Sequence, residues 1–294
     1  MRWSSRSLGS KLQHQVFYLI IRLAGRHGAY CLLFFVVSWY ALLPSVRNRS
    51  KPYLTRRFPR ANGISLLLRT WRLQWSFGQC LVDRAAAGIL GDFYMEPTVK
   101  GEFESLLDES RGIILLAAHT GNWQIAQYAL ATHSNGRPVA VLGHREDADV
   151  DKEIFEHQGK EKPYQFVSAG DGYPASVALV NLLRKGGFLC TTGDRVTGDE
   201  KALLETEFLG HSLKISYLPF RLASATGARV IFVFARRTRP GWCELCFMDS
   251  VHVPEGLGGA PEGYRPYVRQ YVAALEKFVY KHPYQFFNFC NIWE

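Results

Sequence analysis

A long uncharged apolar run lies near the start of the chain. Residues 28–44 are seventeen positions without a charge, and the apolar stretch 16–24 before them is interrupted only by Arg22. Such a run is at the lower limit for crossing a bilayer. Basic residues flank it on both sides, whereas a spanning helix normally has one side richer in Lys and Arg. The pattern favours a hydrophobic helix that lies in, or dips into, an anionic leaflet; a true span and a buried core helix are the alternatives.

The hydrophobic pattern changes character further along the chain. Residues 64–87 carry apolar side chains at three- and four-residue intervals, which predicts an amphipathic helix. Short apolar runs then alternate with helical spacing: strands are predicted at 112–118, 138–142, 187–191, 229–235 and 242–247, and helices from 122 and over 173–184, 216–226 and 264–281. This alternation predicts an α/β fold with a central, mostly parallel sheet flanked by helices. We divide the chain into a hydrophobic N-terminal helix with a basic membrane-proximal segment (1–60) and an α/β domain (61–294).

Charge narrows the choice of partners. Thirty-five Lys and Arg against 26 Asp and Glu give a formal net charge of +9, which favours phospholipid headgroups, nucleic acid or an acidic carrier protein. The basic run within 47–60 directly follows the apolar helix, an arrangement that suits a membrane better than a duplex. We therefore expect an anionic membrane lipid as a partner and no nucleic acid.

The cysteines and the missing motifs exclude several classes of protein. Cys243 and Cys246 form a C-x-x-C, but no second pair completes a zinc site, and strand alternation would point their thiols to opposite faces. No metal is expected, and free thiols fit a reducing, cytosol-facing location. The sequence lacks a G-x-S-x-G nucleophile elbow, a G-x-G-x-x-G and a P-loop, which argues against α/β hydrolase, dinucleotide and P-loop chemistry.

His119 is the strongest candidate for a chemical role. It falls where the apolar strand 112–118 ends, and reactive groups in parallel sheets sit beyond the carboxyl ends of the strands. Gly121 permits a tight turn, and Asn122 is a good residue for starting the following helix. A neutral imidazole near pH 7 is a suitable general base for an alcohol or an amine.

Four blocks of sequence, in order, resemble one family. The run from His119 to Trp123 resembles the H-x4-D/E block of the lysophospholipid acyltransferase-like superfamily, in its lipid A late-acyltransferase (lauroyl/myristoyl transferase) branch. The other blocks are Gly187-Phe188-Leu189 with Gly193-Asp194-Arg195; Phe208-Leu209-Gly210 with Leu218-Pro219-Phe220-Arg221-Leu222-Ala223 and Thr226-Gly227-Ala228; and the ending Pro283-Tyr284-Gln285-Phe286-Phe287-Asn288-Phe289. The resemblance covers roughly residues 17–293.

The resemblance implies an acyltransferase (EC 2.3.1 type) on the cytoplasmic face of the inner membrane, held there peripherally or by a single N-terminal helix. The histidine of the first block would deprotonate a hydroxyl or amine of a lipid-like acceptor, which attacks an acyl-carrier-protein or acyl-CoA thioester. No cofactor beyond this acyl donor is implied. Backbone N–H groups near the Gly121 turn would stabilise the oxyanion of the thioester carbonyl.

One position departs from the family pattern. Five residues after His119 the family has Asp or Glu, and this chain has Gln124. An amide can orient the ring but cannot offer the negative charge that stabilises an imidazolium. Three explanations are open: a carboxylate such as Asp194 replaces the missing acid, the enzyme tolerates slower chemistry or uses a more reactive acceptor, or catalysis has been lost. The last would make the chain a catalytically silent lipid-binding or scaffold protein.

The predicted site comprises two catalytic residues, His119 as base and Gln124 as its orienting partner, and a set of substrate-binding residues. Arginine suits an anionic group because its donors form a fork that matches phosphate or carboxylate. The substrate-binding set is Gly121, Asn122, Trp123, Arg145, Asp194, Arg195 and Arg221.

Overall fold

The computed structural model describes residues 10–96, 101, 104–105, 108–143, 153–168, 172–196 and 200–293. Its centre is a seven-stranded sheet of order β1-β9-β8-β2-β5-β3-β4, accompanied by a β6–β7 hairpin. The strands are β1 Tyr94–Met95, β2 Ile113–Ala117, β3 Val139–Gly143, β4 Gln165–Ser168, β5 Phe188–Thr192, β6 Leu203–Phe208, β7 His211–Ser216, β8 Arg229–Arg239 and β9 Trp242–His252. Strands β2, β3, β4, β5 and β8 are mutually parallel, and β9 runs antiparallel to β8. The predicted α/β fold with a mostly parallel sheet is confirmed.

Helices precede the sheet and cover both of its faces. They are α1 Lys11–Leu42, α2 Pro44–Arg57, α3 Gly63–Leu90, α4 Trp123–Thr132, α5 Ile154–His157, α6 Gly172–Arg184, α7 Leu218–Thr226 and α8 Arg265–Lys281. Because successive strand residues point to opposite faces, β2 supplies Ile114 and Leu116 to the core under α6, α7 and α8, and Ile113 and Leu115 to the face under α4. The second core is the smaller, since α4 is short.

Helix α1 packs along α3 in the antiparallel sense. Trp71 Nε1 donates to Ser38 Oγ over 3.1 Å near one end, and Arg26 forms an ion pair with Asp83 near the other. The α1 residues at this contact form a stripe that packs on the small side chains of α3: Ile21, Ala29, Leu33 and Val37. The division of the chain into residues 1–60 and 61–294 stays a prediction. In the structure, α1 packs on α3 of the second part.

A break at Gly25 shortens the apolar helix. Gly25 has φ 66° and ψ −170°, so α1 consists of two helical segments joined by a kink. Among the described residues, α1 is the one helix that is long and apolar enough to cross a membrane, and 33% of its most apolar window is buried within the protein. The segment 26–42 is about 25 Å long at the standard helical rise. That is less than the roughly 30 Å hydrocarbon core of a bilayer.

The sequence pattern missed several elements, among them β4, the β6–β7 hairpin and α2. Strand β4 is only four residues long, the β6–β7 hairpin has several exposed positions, and α2 is a strongly basic helix. None of these shows a strong apolar period, which is the signal that sequence reading depends on. The expectation for the cysteine pair is confirmed: Cys243 is buried beside α4, Cys246 packs against the larger core on the opposite face, and both are free.

Candidate active site

His119 and Asp194 follow neighbouring parallel strands and meet at the carboxyl edge of the sheet. In the β2–β5 pairing Ala117 lies opposite Thr192, so the residues two positions further along each strand face one another. Nδ1 of His119 lies 2.8 Å from Oδ1 and 3.1 Å from Oδ2 of Asp194. The backbone N–H of His119 also donates to Oδ1, over 3.2 Å. The carboxylate therefore fixes both the imidazole ring and the chain that carries it.

The two side chains differ in their access to solvent. The Asp194 side chain is fully buried, whereas 17% of the His119 side chain remains exposed. With Nδ1–H donated to Asp194, the other ring nitrogen carries a lone pair. Among the described residues, no group forms a hydrogen bond with this Nε2 atom. The pair thus presents a basic nitrogen outward and keeps its carboxylate inside.

The electrostatic surroundings favour a neutral ring beside an ionised carboxylate. Burial and the Arg195 guanidinium lower the pKa of His119, while the charge of Asp194 opposes them. Burial acts to raise the pKa of Asp194, but the charge and hydrogen bond of His119, together with Arg195, outweigh it and lower that pKa. At neutral pH His119 can therefore accept a proton, and Asp194 can stabilise the imidazolium that results.

The C-terminal tail holds the backbone around His119. Phe287 N donates to the carbonyl of His119 over 2.8 Å, and Gly121 N donates to the carbonyl of Gln285 over 3.0 Å. The Gln285 side chain in turn bonds to the N–H and carbonyl of Arg237 in β8, at 2.8 and 2.9 Å. These hydrogen bonds fix the tail to β8 and to the turn that carries His119. The aromatic composition of the tail does not predict this structural role.

Gly121 is required where the chain turns from β2 into α4. Its φ is +44°, and a Cβ atom at this position would lie 2.5 Å from the carbonyl oxygen of Ala235. Any other residue would be strained by the backbone angle and would collide with β8. The predicted tight turn is confirmed, and it forces His119 to project at the strand end.

Gln124 is the residue predicted to orient the imidazole ring of His119. It lies in the first turn of α4, and among the described residues it forms no hydrogen bond with His119. The Trp123 ring packs edge-on against the imidazole at a centroid distance of 5.2 Å. In the structure the hydrogen-bond partner of the ring is Asp194, and the orienting role of Gln124 stays a prediction.

Two of the three arginines predicted to bind substrate lie in the part of the chain that the structure describes. Arg195 has a nearly buried side chain whose Nε lies 3.8 Å from Asp194 Oδ2, and its NH2 donates to the carbonyl of Phe287. Arg221 is exposed on α7, contacts neither His119 nor Asp194, and lines neither of the pockets beside them. Arg145 lies outside the described residues. Of the two arginines that the structure describes, Arg195 lies beside the His119–Asp194 pair and Arg221 does not.

An apolar groove starts beside the pair and runs under α4. It encloses about 470 Å³ of space, part of it open solvent, between α4 and the sheet face formed by β2, β5, β8 and β9. Trp123 and Ala117 lie at its His119 end, and its deeper lining is apolar except for Gln127: Leu115, Ala126, Leu130, Cys190, Val233, Ala235, Leu245 and Phe247. Such a groove is suited to a flexible hydrocarbon chain.

An α/β sheet with a histidine–carboxylate pair at its carboxyl edge and an apolar groove under the adjoining helix defines a candidate enzyme for an apolar substrate. The model of the bacterial lipid A biosynthesis acyltransferase family matches residues 95–294, and the chain belongs to this family. The matched region contains both His119 and Asp194. A comparison with curated proteins gave no match. Lipid A-type acyl transfer is the activity that the family suggests.

Proposed function

We propose that this protein transfers a fatty acyl chain from a carrier-protein or CoA thioester to a hydroxyl or amine of a lipid-like acceptor, with His119 as general base. The observation that carries the proposal is the His119–Asp194 pair, whose Nε2 forms no hydrogen bond with a described residue; Trp123, which packs against the His119 ring, also lines the apolar groove. Membership of the acyltransferase family supports the same reaction class.

The reaction is a single displacement with two proton transfers. Nε2 of His119 removes the proton of the acceptor O–H or N–H as that atom attacks the thioester carbonyl carbon. A C–O or C–N bond forms, the C–S bond breaks, and the imidazolium returns its proton to the departing thiolate. Asp194 stabilises the imidazolium between the two transfers, as the carboxylate does in other histidine-based sites. No acyl-enzyme and no cofactor other than the donor is required.

The groove supports the assignment of the acyl chain to the face under α4. Its His119 end would receive the thioester, and the chain would extend towards Leu130 and Phe247. Burial of each methylene contributes about 0.8 kcal/mol. A chain that fits the groove therefore gains several kcal/mol over a short acyl group, which makes donor chain length the natural determinant of specificity.

The N-terminal helices support attachment to an anionic membrane surface, which we propose is the cytoplasmic face of the inner membrane. Large apolar side chains remain exposed on the second half of α1 and the start of α3: Phe34, Phe35, Trp39, Leu42, Ile64 and Leu68. Helix α2, which follows α1 directly, exposes Arg47, Arg49 and Lys51. Apolar side chains beside basic ones suit a helix pair that enters one leaflet while cations contact the headgroups. The kink at Gly25 and the packing on α3 favour this arrangement over a span.

Acyl transfer to a membrane lipid extract tests the reaction. Wild-type protein is incubated with acyl-carrier-protein and acyl-CoA donors of several chain lengths, and labelled lipid products are separated. We expect transfer by the wild type, loss in His119→Ala, and retention in His211→Ala, which removes an exposed histidine on β7. Tight lipid binding by a folded wild-type protein without transfer from any donor would instead support the silent lipid-binding protein.

A further inference from the structure

A second, smaller pocket lies at the N-terminus of α4, on the opposite side of Trp123 from the acyl groove. It encloses about 250 Å³ of space, part of it open solvent, and α3, the first turn of α4 and Phe287 form its walls. Neither His119 nor Asp194 lines it, so it is a subsite beside the reacting atoms rather than the place where the thioester carbonyl would sit. It is nonetheless coupled to the site through Trp123, which lines this pocket and touches the His119 ring.

The polar groups of this pocket are mostly donors. Helix α4 is ten residues long, and its first-turn N–H groups at Gln124 and Ile125 have no acceptor among the described residues. The start of a helix also carries a partial positive charge. The guanidinium of Arg84, which is 5% exposed, lines the same pocket from α3. The described lining contains no carboxylate.

Asn122 provides an independent indication of a ligand. It is 3% exposed and lines the pocket, yet its side chain does not cap α4. Neither Nδ2 nor Oδ1 has a hydrogen-bond partner among the described residues. Burying an amide without hydrogen-bond partners is unfavourable, so buried amides are normally hydrogen-bonded in the functional state of a protein.

We propose that this pocket binds a phosphate group of a substrate, held by Arg84, the Asn122 amide and the first-turn N–H groups of α4. The inference rests on the proposed function, since the phosphate belongs either to the pantetheine arm of the donor or to the headgroup of the acceptor. Both sources present the same tetrahedral anion, for which a helix N-terminus with an arginine is a suitable site. Binding there would position the substrate against Trp123 and hence against His119.

Binding without turnover tests the proposal separately from the reaction. Saturation-transfer NMR on the full-length protein in a neutral detergent compares two pairs of probes: phosphopantetheine with pantetheine, and glucosamine 1-phosphate with glucosamine. We expect the phosphorylated member of one pair to bind about tenfold more tightly, the effect of one charge-assisted contact. Preference in the first pair assigns the pocket to the donor, and preference in the second assigns it to the acceptor.

Variants test which residues cause the tighter binding of the phosphorylated probe. Arg84→Gln is expected to remove most of it and Arg84→Lys to keep part of it, while Arg72→Gln, an exposed position on the same helix, leaves it unchanged. Asn122→Asp, which places a negative charge in the pocket at constant size, is expected to abolish it even if Arg84→Gln fails to fold. Equal affinity within both pairs, or an unchanged preference in folded Arg84→Gln and Asn122→Asp, would overturn the assignment.

Discussion

Two buried aspartates in this protein have opposite uses. Asp83, in α3, is fully buried between Arg26 of α1 and Arg237 of β8, at 2.9 and 2.6 Å, and it also accepts from the Tyr30 hydroxyl. Asp194 is equally buried but contacts an imidazole that reaches solvent. The partners decide the role: guanidinium groups stay charged at all relevant pH values, so Asp83 holds permanent ion pairs, whereas a histidine can exchange its proton.

The two aspartates should also differ in what their loss affects: Asp83 should matter for stability and Asp194 for the reaction. Asp83 joins the N-terminal helix, α3 and the β8–β9 turn, where Gly241 N donates to its carboxylate over 3.2 Å. Asp194 joins two strand ends that are already fixed by the sheet and by the tail. Loss of the first carboxylate should therefore loosen the fold, and loss of the second should mainly change the proton affinity and orientation of His119.

The largest expected effect concerns the catalytic pair. Asp194→Asn should lower kcat by about 10²–10⁴, the range of a general-base contribution, because the amide can hold the wrong tautomer and offers no charge to the imidazolium. Steady-state kinetics on Asp194→Asn, His119→Ala and the double variant measure this. Residues that act as a unit are not additive, so the double variant should be about as slow as His119→Ala. Additive losses would show that the two side chains act independently.

The second-largest expected effect is a loss of stability, without a loss of kcat, when Asp83 is replaced. Asp83→Asn leaves two buried arginines without their shared anion, and breaking a buried ion pair typically costs about 3–5 kcal/mol. Denaturant unfolding followed by circular dichroism should show this loss of unfolding free energy, while the protein that remains folded keeps its kcat. Glu207→Gln, at an exposed position on β6, is the control and should be neutral. An Asp83→Asn protein of wild-type stability but lower kcat would reverse the roles given to the two aspartates.

A moderate effect concerns pH. His119 must be neutral to act as base, and burial and Arg195 lower its pKa below the usual 6.5. The rate kcat/KM should therefore stay level as the pH falls through about 6.5 and decline only at lower pH, where the ring becomes protonated. Asp194 acts to raise this pKa, so Asp194→Asn should move the decline to still lower pH. An acid limb centred above pH 6.5 in the wild type would contradict the neutral-imidazole arrangement.

The smallest expected effect is at Gln124. Because Asp194 already bonds to Nδ1, restoring the acidic residue of the family motif by Gln124→Glu should change kcat at saturating substrate by less than about threefold, although the added charge lies in the proposed phosphate pocket and should weaken binding there. The same kinetic assay measures it. A large gain in kcat would mean that position 124 can still reach the ring and that the Asp194 contact is not the functional one.

The sequence by itself was sufficient for the architecture and for the position of His119. Apolar runs of strand and helix length predicted the mostly parallel sheet, and the position of His119 at a strand end, followed by Gly121, predicted where its side chain projects. These features are local, since a period of two or of 3.6 residues and a glycine turn are properties of the chain segment itself. The short strand β4 and the partly polar β6–β7 hairpin lack such a period and were missed.

The tertiary structure decided which groups meet. His119 and Asp194 are far apart in the chain, and only the β2–β5 register of Ala117 with Thr192 places one against the other. The same packing left Gln124 without a hydrogen bond to His119 among the described residues, left Arg221 exposed on α7, and brought Arg84 of α3 to the start of α4. Strand order and register depend on how whole faces pack, and no single segment encodes them.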